Sequence, residues 1–272
     1  MDLGLADAHV VVAGGTKGMG FAAAKCFARE GADVAVLARG RDGLDAALAT
    51  LRELGSPDPL AVQTDLRELD SIERAFAEIS DRWSGVVNTL VNAAGPEDVG
   101  VGGTVETLPD EQWAATFEIG TLAAVRCVRC CLPMLRAAEW GRIVNLSAHS
   151  TKRQGTRLVA YTASKAALTS VSKNLAQLLA PEEILVNTVS PGSFLSEGLK
   201  HYLRALPAER NIDPDSVYDA MRAITEDFGH PAYMPRAGHP DEMGPVVTFV
   251  GSRVNSYMTG ADINVDGGSD FC

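Results

Sequence analysis

The sequence predicts an α/β fold in which a doubly wound parallel sheet is flanked by helices. Seven apolar runs of strand length recur along the chain, and amphipathic stretches with a helical period lie between them. Continuous apolar runs are typical of strands that are buried on both faces of a parallel sheet. Regular alternation of strand and helix implies crossover connections, so we expect about seven strands in one doubly wound sheet.

The predicted strands share a short apolar run that is followed by turn residues. They are His9–Ala13, Asp33–Ala38, Leu60–Thr64, Thr89–Asn92, Arg142–Leu146, Ile184–Val189 and Asp262–Val265. The predicted helices share one apolar face, and they include Gly18–Arg29, Ser71–Arg82, Asp110–Arg136 and Thr162–Leu179. No low-complexity linker or internal repeat interrupts this pattern, so residues 1–272 are expected to form a single domain.

One segment, at about residues 194–235, departs from the alternation. It has helical patterning and several acidic residues, and it contains four prolines. It follows the end of a predicted strand, where ligands bind in open α/β sheets. Long irregular segments inside compact domains are usually functional, so we predict a substrate lid here, with a surface insertion as the alternative.

Composition and charge restrict the class of protein and its partners. The formal net charge of −11 argues against nucleic acid or an anionic membrane surface as a main partner, because both favour a basic face. Five cysteines in 272 residues are not a disulfide framework and suggest a reducing compartment. The N-terminus has no signal-peptide pattern and no apolar run is long enough to span a bilayer, so a cytoplasmic protein is expected.

A glycine-rich turn follows the first predicted strand and opens the first predicted helix. It reads Gly14-Gly15-Thr16-Lys17-Gly18-Met19-Gly20. Free N–H groups at a helix N-terminus can hold a pyrophosphate, and glycines let the backbone approach the phosphates closely. An ordinary strand–helix turn is the alternative. We predict a Rossmann-type dinucleotide site with contacts from Gly14, Thr16, Lys17, Gly18, Met19 and Gly20.

The end of the second predicted strand indicates which dinucleotide is preferred. An acidic residue there would accept the ribose 2′-OH of NAD and repel a 2′-phosphate. This strand instead ends in Ala38 and Arg39, and Lys17 lies in the glycine turn. An arginine can bind a phosphate bidentately, so NADP(H) is preferred over NAD(H), with a solvated surface arginine as the alternative.

Several motifs in a fixed order extend from Gly14 to Gly268, and together they identify a family. Besides the glycine turn they are Asp65-Leu66, Asn92-Ala93-Ala94-Gly95, Tyr161-x-x-x-Lys165, Pro191-Gly192, Thr259-Gly260 and Val265-Asp266-Gly267-Gly268. The chain resembles the short-chain dehydrogenase/reductase family of the ordinary single-domain type. Members with this general appearance include 3-oxoacyl-thioester reductases and enzymes that act on sugars, steroids and aromatic alcohols.

The resemblance implies further cofactor contacts. In the family, the Asp65 position accepts from the adenine amino group and the Leu66 position packs on the ring. Positions near the lid line the nicotinamide side. The residues implied are Asp65, Leu66, Asn92, Ala93, Ala94, Gly95, Tyr161, Lys165, Pro191, Gly192 and Ser196.

Tyr161 and Lys165 are the predicted proton-handling pair. Four residues apart in a predicted helix, they share one face. A free tyrosine has a pKa near 10 and is a poor acid–base catalyst at neutral pH, and a nearby ammonium lowers that pKa. The resemblance implies that Tyr161 exchanges a proton with a carbonyl or alcohol substrate. It also implies that Lys165 assists and binds the nicotinamide ribose.

Two positions depart from the family pattern. Counting back from Tyr161, the usual substrate-binding serine falls on Ala148. A small shift of the loop would let Ser147 take its place, with Ser150 as the substitute. The usual asparagine of the long helix falls on Gly120, which can also bend a helix and free a carbonyl. The alternative is therefore a dinucleotide-binding protein with weak or no catalysis, such as a sensor or scaffold.

No metal site is predicted. Cys127, Cys130 and Cys131 lie within an apolar helical pattern and lack an obvious fourth ligand. His149 is adjacent to the predicted active site, where it either contacts substrate or is solvated. From the resemblance we expect a homotetramer or homodimer formed through the long helices.

Overall fold

The computed structural model describes residues 1–96 and 102–270. A seven-stranded sheet lies at its centre in the order β3-β2-β1-β4-β5-β6-β7, and every neighbouring pair is parallel. The strands are β1 His9–Ala13, β2 Asp33–Ala38, β3 Leu60–Gln63, β4 Thr89–Asn92, β5 Gly141–Leu146, β6 Ile184–Pro191 and β7 Asp262–Val265. The predicted doubly wound, single-domain fold is confirmed.

Helices cover both faces of the sheet. They are α1 Gly18–Arg29, α2 Arg41–Glu53, α3 Leu69–Arg82, α4 Asp110–Phe117, α5 Ala123–Ala137, α6 Val159–Leu179, α7 Glu197–Arg204, α8 Val217–Phe228 and α9 Pro240–Val250. A π-helical segment, Glu118–Leu122, joins α4 to α5.

The core forms two layers, and β1 supplies side chains to both. Val11 packs in the cluster that includes Ile72 of α3, whereas Val10 and Val12 pack in the cluster that includes Phe27 of α1. All five side chains have zero relative exposure. Because successive strand residues point to opposite faces, an unbroken apolar run is required where both faces are covered.

Most predicted element bounds agree with the structure to within a few residues. The exception is the predicted helix Asp110–Arg136, which is divided by the π-helical segment at Gly120. One extra residue per turn at this point changes the helix geometry without interrupting the apolar pattern. Periodicity alone therefore could not separate α4 from α5.

The segment at 194–235 folds onto the carboxyl side of the sheet as two helices, α7 and α8. It has a small apolar cluster of its own, which includes Leu203 and Met221. Arg210, in the connection between the two helices, donates to both carboxylate oxygens of Asp227 in α8, at 2.8 and 2.7 Å. The segment is thus an ordered structure, and its action as a lid is taken up below as a proposal.

Candidate active site

A cleft of about 590 Å³ lies beyond the carboxyl ends of β1, β2 and β4. Strand order reverses at β1, and such a point is where doubly wound sheets bind nucleotides. The cleft is lined by most of the predicted cofactor residues: Gly14, Thr16, Lys17, Gly18, Met19, Gly20, Arg39, Asp65, Leu66, Ala93, Ala94, Gly95 and Ser196. Its volume falls in the usual range for ligand sites, roughly 300–1,000 Å³.

The glycine turn packs closely against the loop that follows β4. Gly14 has φ +81°, and a Cβ there would lie 2.8 Å from the Ala94 backbone nitrogen. The left-handed conformation and this close contact both require glycine. The turn and the loop after β4 therefore meet backbone to backbone at the floor of the cleft.

The adenosine end of the cleft is rich in cations. Lys17, Arg39 and Arg67 line it, and Asp65 is the one carboxylate among the described lining residues. Arg67 donates two hydrogen bonds to the Asp65 carboxylate, from Nη2 to Oδ2 at 2.7 Å and from Nε to Oδ1 at 3.1 Å. This hydrogen-bonded pairing holds the pKa of Asp65 below its usual value.

A second cavity of about 740 Å³ adjoins the cleft, and Met19 and Ser196 line both. Tyr161, Pro191 and Gly192 also line this cavity. Ser196 caps α7, its hydroxyl accepting from the Leu199 backbone at 3.3 Å. Of the predicted nicotinamide-side residues, Ser196 therefore lies where the two cavities meet, whereas Pro191 and Gly192 line the second cavity only.

Lys165, a predicted cofactor residue, lines neither cavity, and its ammonium is held by backbone carbonyls. Nζ donates to the oxygen of Leu146 at 2.8 Å and of Ala94 at 3.5 Å. The residue is 3% exposed, and burial lowers the pKa of its ammonium to about 8. Because Ala94 also lines the cofactor cleft, this side chain connects the cleft to the end of β5.

Two serines after β5, Ser147 and Ser150, are candidates for the missing family serine. The Ser147 hydroxyl donates to the Lys165 carbonyl at 3.0 Å and lies 2.8 Å from Thr169 Oγ1. This position ties Ser147 to α6 and argues against the predicted role toward substrate. Ser150 is buried and lines the second cavity. Within residues 1–96 and 102–270, no protein group is hydrogen-bonded to its hydroxyl.

Gly120 is explained by the close approach of α6 to the π-helical segment. A Cβ at Gly120 would lie 2.6 Å from Ser164 Oγ and 3.1 Å from its Cβ. The same Ser164 hydroxyl donates to the Tyr161 carbonyl at 2.8 Å, while Thr121 donates to the Ser164 carbonyl at 2.7 Å. The absence of a side chain at Gly120 therefore allows the π-helical segment to pack directly against the turn of α6 that carries Tyr161 and Lys165.

His149 is buried beside Tyr161 in the second cavity, 7% exposed. Its Nδ1 donates to the Pro191 carbonyl at 3.0 Å, because a carbonyl can only accept, and Nε2 has no partner among the described residues. Burial lowers the pKa of the ring. The imidazole is thus neutral at pH 7. The sequence left two roles open for His149, and its burial excludes the solvated loop residue and leaves the substrate contact.

Asn92 does not line the dinucleotide cleft. Its amide donates to Asn145 Oδ1 at 2.8 Å, and Asn145 donates to Ser172 at 2.8 Å. This buried chain crosses from β4 through β5 to α6. Asn92 therefore positions the loop that follows it, whose Ala93–Gly95 backbone borders the cleft.

Sequence reasoning missed several cavity residues. Arg67 directly follows the Asp65-Leu66 motif, so its position beside the cleft was available as a signal. Ser193 follows Pro191-Gly192 in the same way. Tyr202 and Phe228 lie in the lid segment, where no motif distinguishes them from other apolar residues.

Metal and membrane features are also addressed by the structure. Within residues 1–96 and 102–270, no cluster of three or more histidine, cysteine or acidic side chains has the arrangement of a metal site. Cys127 and Cys131 are fully or almost fully buried, and burial raises the pKa of both thiols. None of the described helices is both long and apolar enough to cross a bilayer.

Comparisons with known proteins agree with this geometry. A family model described as enoyl-(acyl carrier protein) reductase matches residues 13–270. An NAD-dependent glycerol dehydrogenase of Listeria innocua is 30% identical over 98% of this chain and 95% of its own. A rhamnolipids biosynthesis 3-oxoacyl-[acyl-carrier-protein] reductase of Pseudomonas aeruginosa is 29% identical, covering 97% and 96%.

A solved structure extends the agreement to three dimensions. L-Sorbose reductase from Gluconobacter frateurii, complexed with NADPH and L-sorbose, superimposes with a TM-score of 0.89 at 28% identity, covering 99% of this chain and 98% of that one. The motif order, the parallel seven-stranded sheet and the near-complete family match point to one conclusion. The chain belongs to the short-chain dehydrogenase/reductase family of oxidoreductases.

Proposed function

We propose that the protein is an NADP(H)-dependent oxidoreductase that interconverts a carbonyl compound and a secondary alcohol, with Tyr161 as the general acid and base. One observation carries the proposal. The cavity lined by Tyr161 opens onto the cation-rich dinucleotide cleft through the shared residues Met19 and Ser196. A substrate in that cavity would lie next to a nicotinamide in the cleft.

The residues present fit a dinucleotide. Gly14, Gly15 and Gly20 of the glycine turn have no room for a Cβ, and the neighbouring cations suit phosphate groups. When bound, the cofactor supplies or accepts a hydride. Tyr161 Oη would donate a proton to the substrate oxygen during reduction and remove it during oxidation. Lys165, held as an ammonium at neutral pH, would favour the phenolate form of Tyr161 through its positive charge.

Ser150 is the better candidate than Ser147 for the hydrogen bond to the substrate oxygen. Both serines line the cavity, but the Ser147 hydroxyl is already hydrogen-bonded to α6. Preorganised donors of this kind stabilise the charge that develops on a reacting oxygen. Ser150 would therefore supply what Ala148 lacks.

NADP(H) is proposed over NAD(H) on the charge of the cleft. Arg39 directly follows β2, where an acidic residue would favour NAD, and the one lining carboxylate among the described residues, Asp65, is paired with Arg67. The NADPH complex of the sorbose reductase is consistent with this choice, and the NAD-dependent relative is the opposing precedent.

The catalytic role is tested with Tyr161→Phe. NADPH oxidation is followed against a panel of ketones and 3-oxoacyl thioesters, and NADPH affinity is measured separately by fluorescence titration. We expect at least a hundredfold loss of turnover at nearly unchanged affinity, since positioned acid–base groups contribute about 10²–10⁴. Equal turnover in the two proteins would remove Tyr161 from the mechanism.

The cofactor choice is tested with Arg39→Asp, using Arg41→Asp as the matched control. Arg41 is exposed and pairs with Asp45 on the surface of α2. The Arg39 change should move the ratio of kcat/KM values for NADPH and NADH toward NADH, and the Arg41 change should move it much less. An unaltered ratio in Arg39→Asp contradicts the assigned role.

A dinucleotide-binding sensor or scaffold with little catalysis is the second candidate, and Ala148 and Gly120 favour it. Its signature would be NADPH binding without turnover of any panel compound. Two observations weaken this argument. Gly120 allows the close approach of Ser164, and Ser150 lines the cavity where a substrate-binding serine is needed.

We further propose that residues 194–235 act as a substrate lid and that the protein forms a homodimer or homotetramer. Large exposed apolar side chains support a partner surface, among them Leu178 on α6 at 64% and Leu122 at 43% relative exposure. Sedimentation equilibrium would decide the oligomeric state, and a monomer at micromolar concentration would exclude the oligomer.

A further inference from the structure

Four rings line the second cavity as two contacting pairs, and we call them together the aromatic strip. Tyr202 of α7 and Phe228 of α8 pack with ring centroids 5.5 Å apart, and His230 and His149 meet edge to face at 6.0 Å. The two pairs are close in sequence, because only Gly229 separates Phe228 from His230. All four residues line the cavity that also contains Tyr161.

The polar atoms of Tyr202 and His149 in this aromatic strip are directed into the protein. The Tyr202 hydroxyl donates to Asp227, which Arg210 also binds. His149 Nδ1 donates to the Pro191 carbonyl, and its Nε2 has almost no accessible surface. The strip therefore presents mainly ring carbon to the cavity.

The strip also carries no net charge near neutral pH. Burial lowers the pKa of both His149 and His230. Burial and the Asp227 hydrogen bond raise the pKa of Tyr202 to about 12, so its hydroxyl remains a donor. A neutral surface of rings favours apolar planar groups.

Few groups in the cavity are available to bind a polyol. No carboxylate or amide side chain is present among its described lining residues. Thr104 and Thr107 bond to each other, and Ser147 and Tyr202 bond to other residues. Apart from Tyr161, whose hydroxyl is assigned to the reaction, the Ser150 and Ser193 hydroxyls and the exposed Arg157 guanidinium are the described lining groups that remain for a polar substrate.

We infer that the substrate is an apolar, ring-bearing ketone or the corresponding secondary alcohol, whose ring packs on the aromatic strip while its oxygen meets Tyr161. The inference rests on the proposed function and names the substrate class for it. A sugar would leave several of its hydroxyl groups desolvated and unpaired in this cavity. The preferred substrate class thus differs from that of the sorbose reductase, although the folds superimpose.

The test compares 4-phenylbutan-2-one with butan-2-one and L-sorbose. Steady-state kcat and KM with NADPH are measured for the wild type and for Tyr202→Ala, Tyr202→Phe and Tyr218→Ala. Tyr218 is an exposed tyrosine of α8 outside the cavity lining and serves as the matched control. Ketone binding is also measured by calorimetry with NADP⁺ present in Tyr161→Phe, which separates binding from turnover.

We expect the wild type to favour the phenyl ketone. Tyr202→Ala should raise KM for that ketone by roughly three- to tenfold and leave KM for butan-2-one unchanged, since a ring pair contributes about 0.5–1.5 kcal/mol. Tyr202→Phe keeps the ring and should keep KM within about twofold, as should Tyr218→Ala. An equal rise in KM for both ketones would indicate a collapsed lid and overturn the ring contact.

The outcomes separate this inference from the proposed function. Preferential binding of the phenyl ketone without any turnover supports the substrate class and removes the enzymatic proposal. Turnover of L-sorbose as efficient as that of the phenyl ketone supports the enzyme and overturns the substrate class. Absence of phenyl ketone binding in calorimetry also overturns the class.

Discussion

Replacing Gly120 by alanine tests whether the π-helical segment and the catalytic helix are fitted to each other. The new Cβ would lie 2.6 Å from Ser164 Oγ, closer than real Cβ contacts come. Ser164 has zero exposure and holds the Tyr161 carbonyl, so relief requires moving α6 or breaking that hydrogen bond. The strain therefore falls on the turn that carries Tyr161 and Lys165.

The expected magnitude follows from two opposing effects. Overpacking a rigid core site costs about 1–3 kcal/mol, whereas glycine to alanine within a helix gains about 0.5–1 kcal/mol. The net loss in Gly120→Ala is up to about 2.5 kcal/mol, or a fall in Tm of up to about 10 °C for a chain of this size. Turnover should fall as well, because Tyr161 is displaced.

The assay is a double-mutant cycle with Ser164→Ala, read by urea unfolding and by kcat. Removing the Ser164 hydroxyl leaves only its Cβ, 3.1 Å from the new methyl group, so the double variant should recover at least about 1 kcal/mol relative to additivity. Gly43→Ala on α2 is the stability control, since its Cβ would meet nothing closer than 3.7 Å. Strictly additive effects would refute the fitted contact.

Three further predictions concern the site and its support. Because the pKa of Lys165 is lowered to about 8, its charge is lost as pH rises, so kcat/KM for NADPH should fall above about pH 8; a profile that stays flat to pH 10 contradicts this. Ser150→Ala should lower kcat by at least about tenfold, and adding Ala148→Ser should restore part of it, whereas full activity in Ser150→Ala excludes the assigned role. Arg142 is 4% exposed and donates to backbone carbonyls, including that of Ser252 at 3.2 Å. Arg142→Ala should therefore reduce the free energy of unfolding by about 2–4 kcal/mol in urea titration with little change in kcat, and a loss below about 0.5 kcal/mol would show that those bonds are dispensable.

The sheet could be predicted because each strand is marked by an apolar run within its own short stretch of sequence. Runs such as His9–Ala13 and Ile184–Val189 are apolar at every position, and strands covered on both faces require that pattern. The π-helical segment at Gly120 could not be found in this way. Its cause is Ser164 on another helix, and that contact is absent from any window of sequence around the glycine.

The candidate site also has parts that the sequence predicts and parts that depend on tertiary contacts. Backbone motifs such as the Gly14–Gly20 turn predict the dinucleotide cleft, because the glycines act through their own missing side chains. The direction of a hydroxyl is set by tertiary neighbours, so Ser147 could not be separated from Ser150 before its bond to the Lys165 carbonyl was known. The aromatic strip brings together residues from distant parts of the chain, and no short motif records it.

The most direct test of the central claim follows deuterium from the nicotinamide C4 of labelled NADPH. With the wild type and a reducible member of the ketone panel, the product alcohol should carry the label on its carbinol carbon. Tyr161→Phe should form it at least about a hundredfold more slowly while binding NADPH with similar affinity. Labelled alcohol formed equally fast by Tyr161→Phe, or NADPH and ketone bound by the wild type without any transfer of label, would contradict the account.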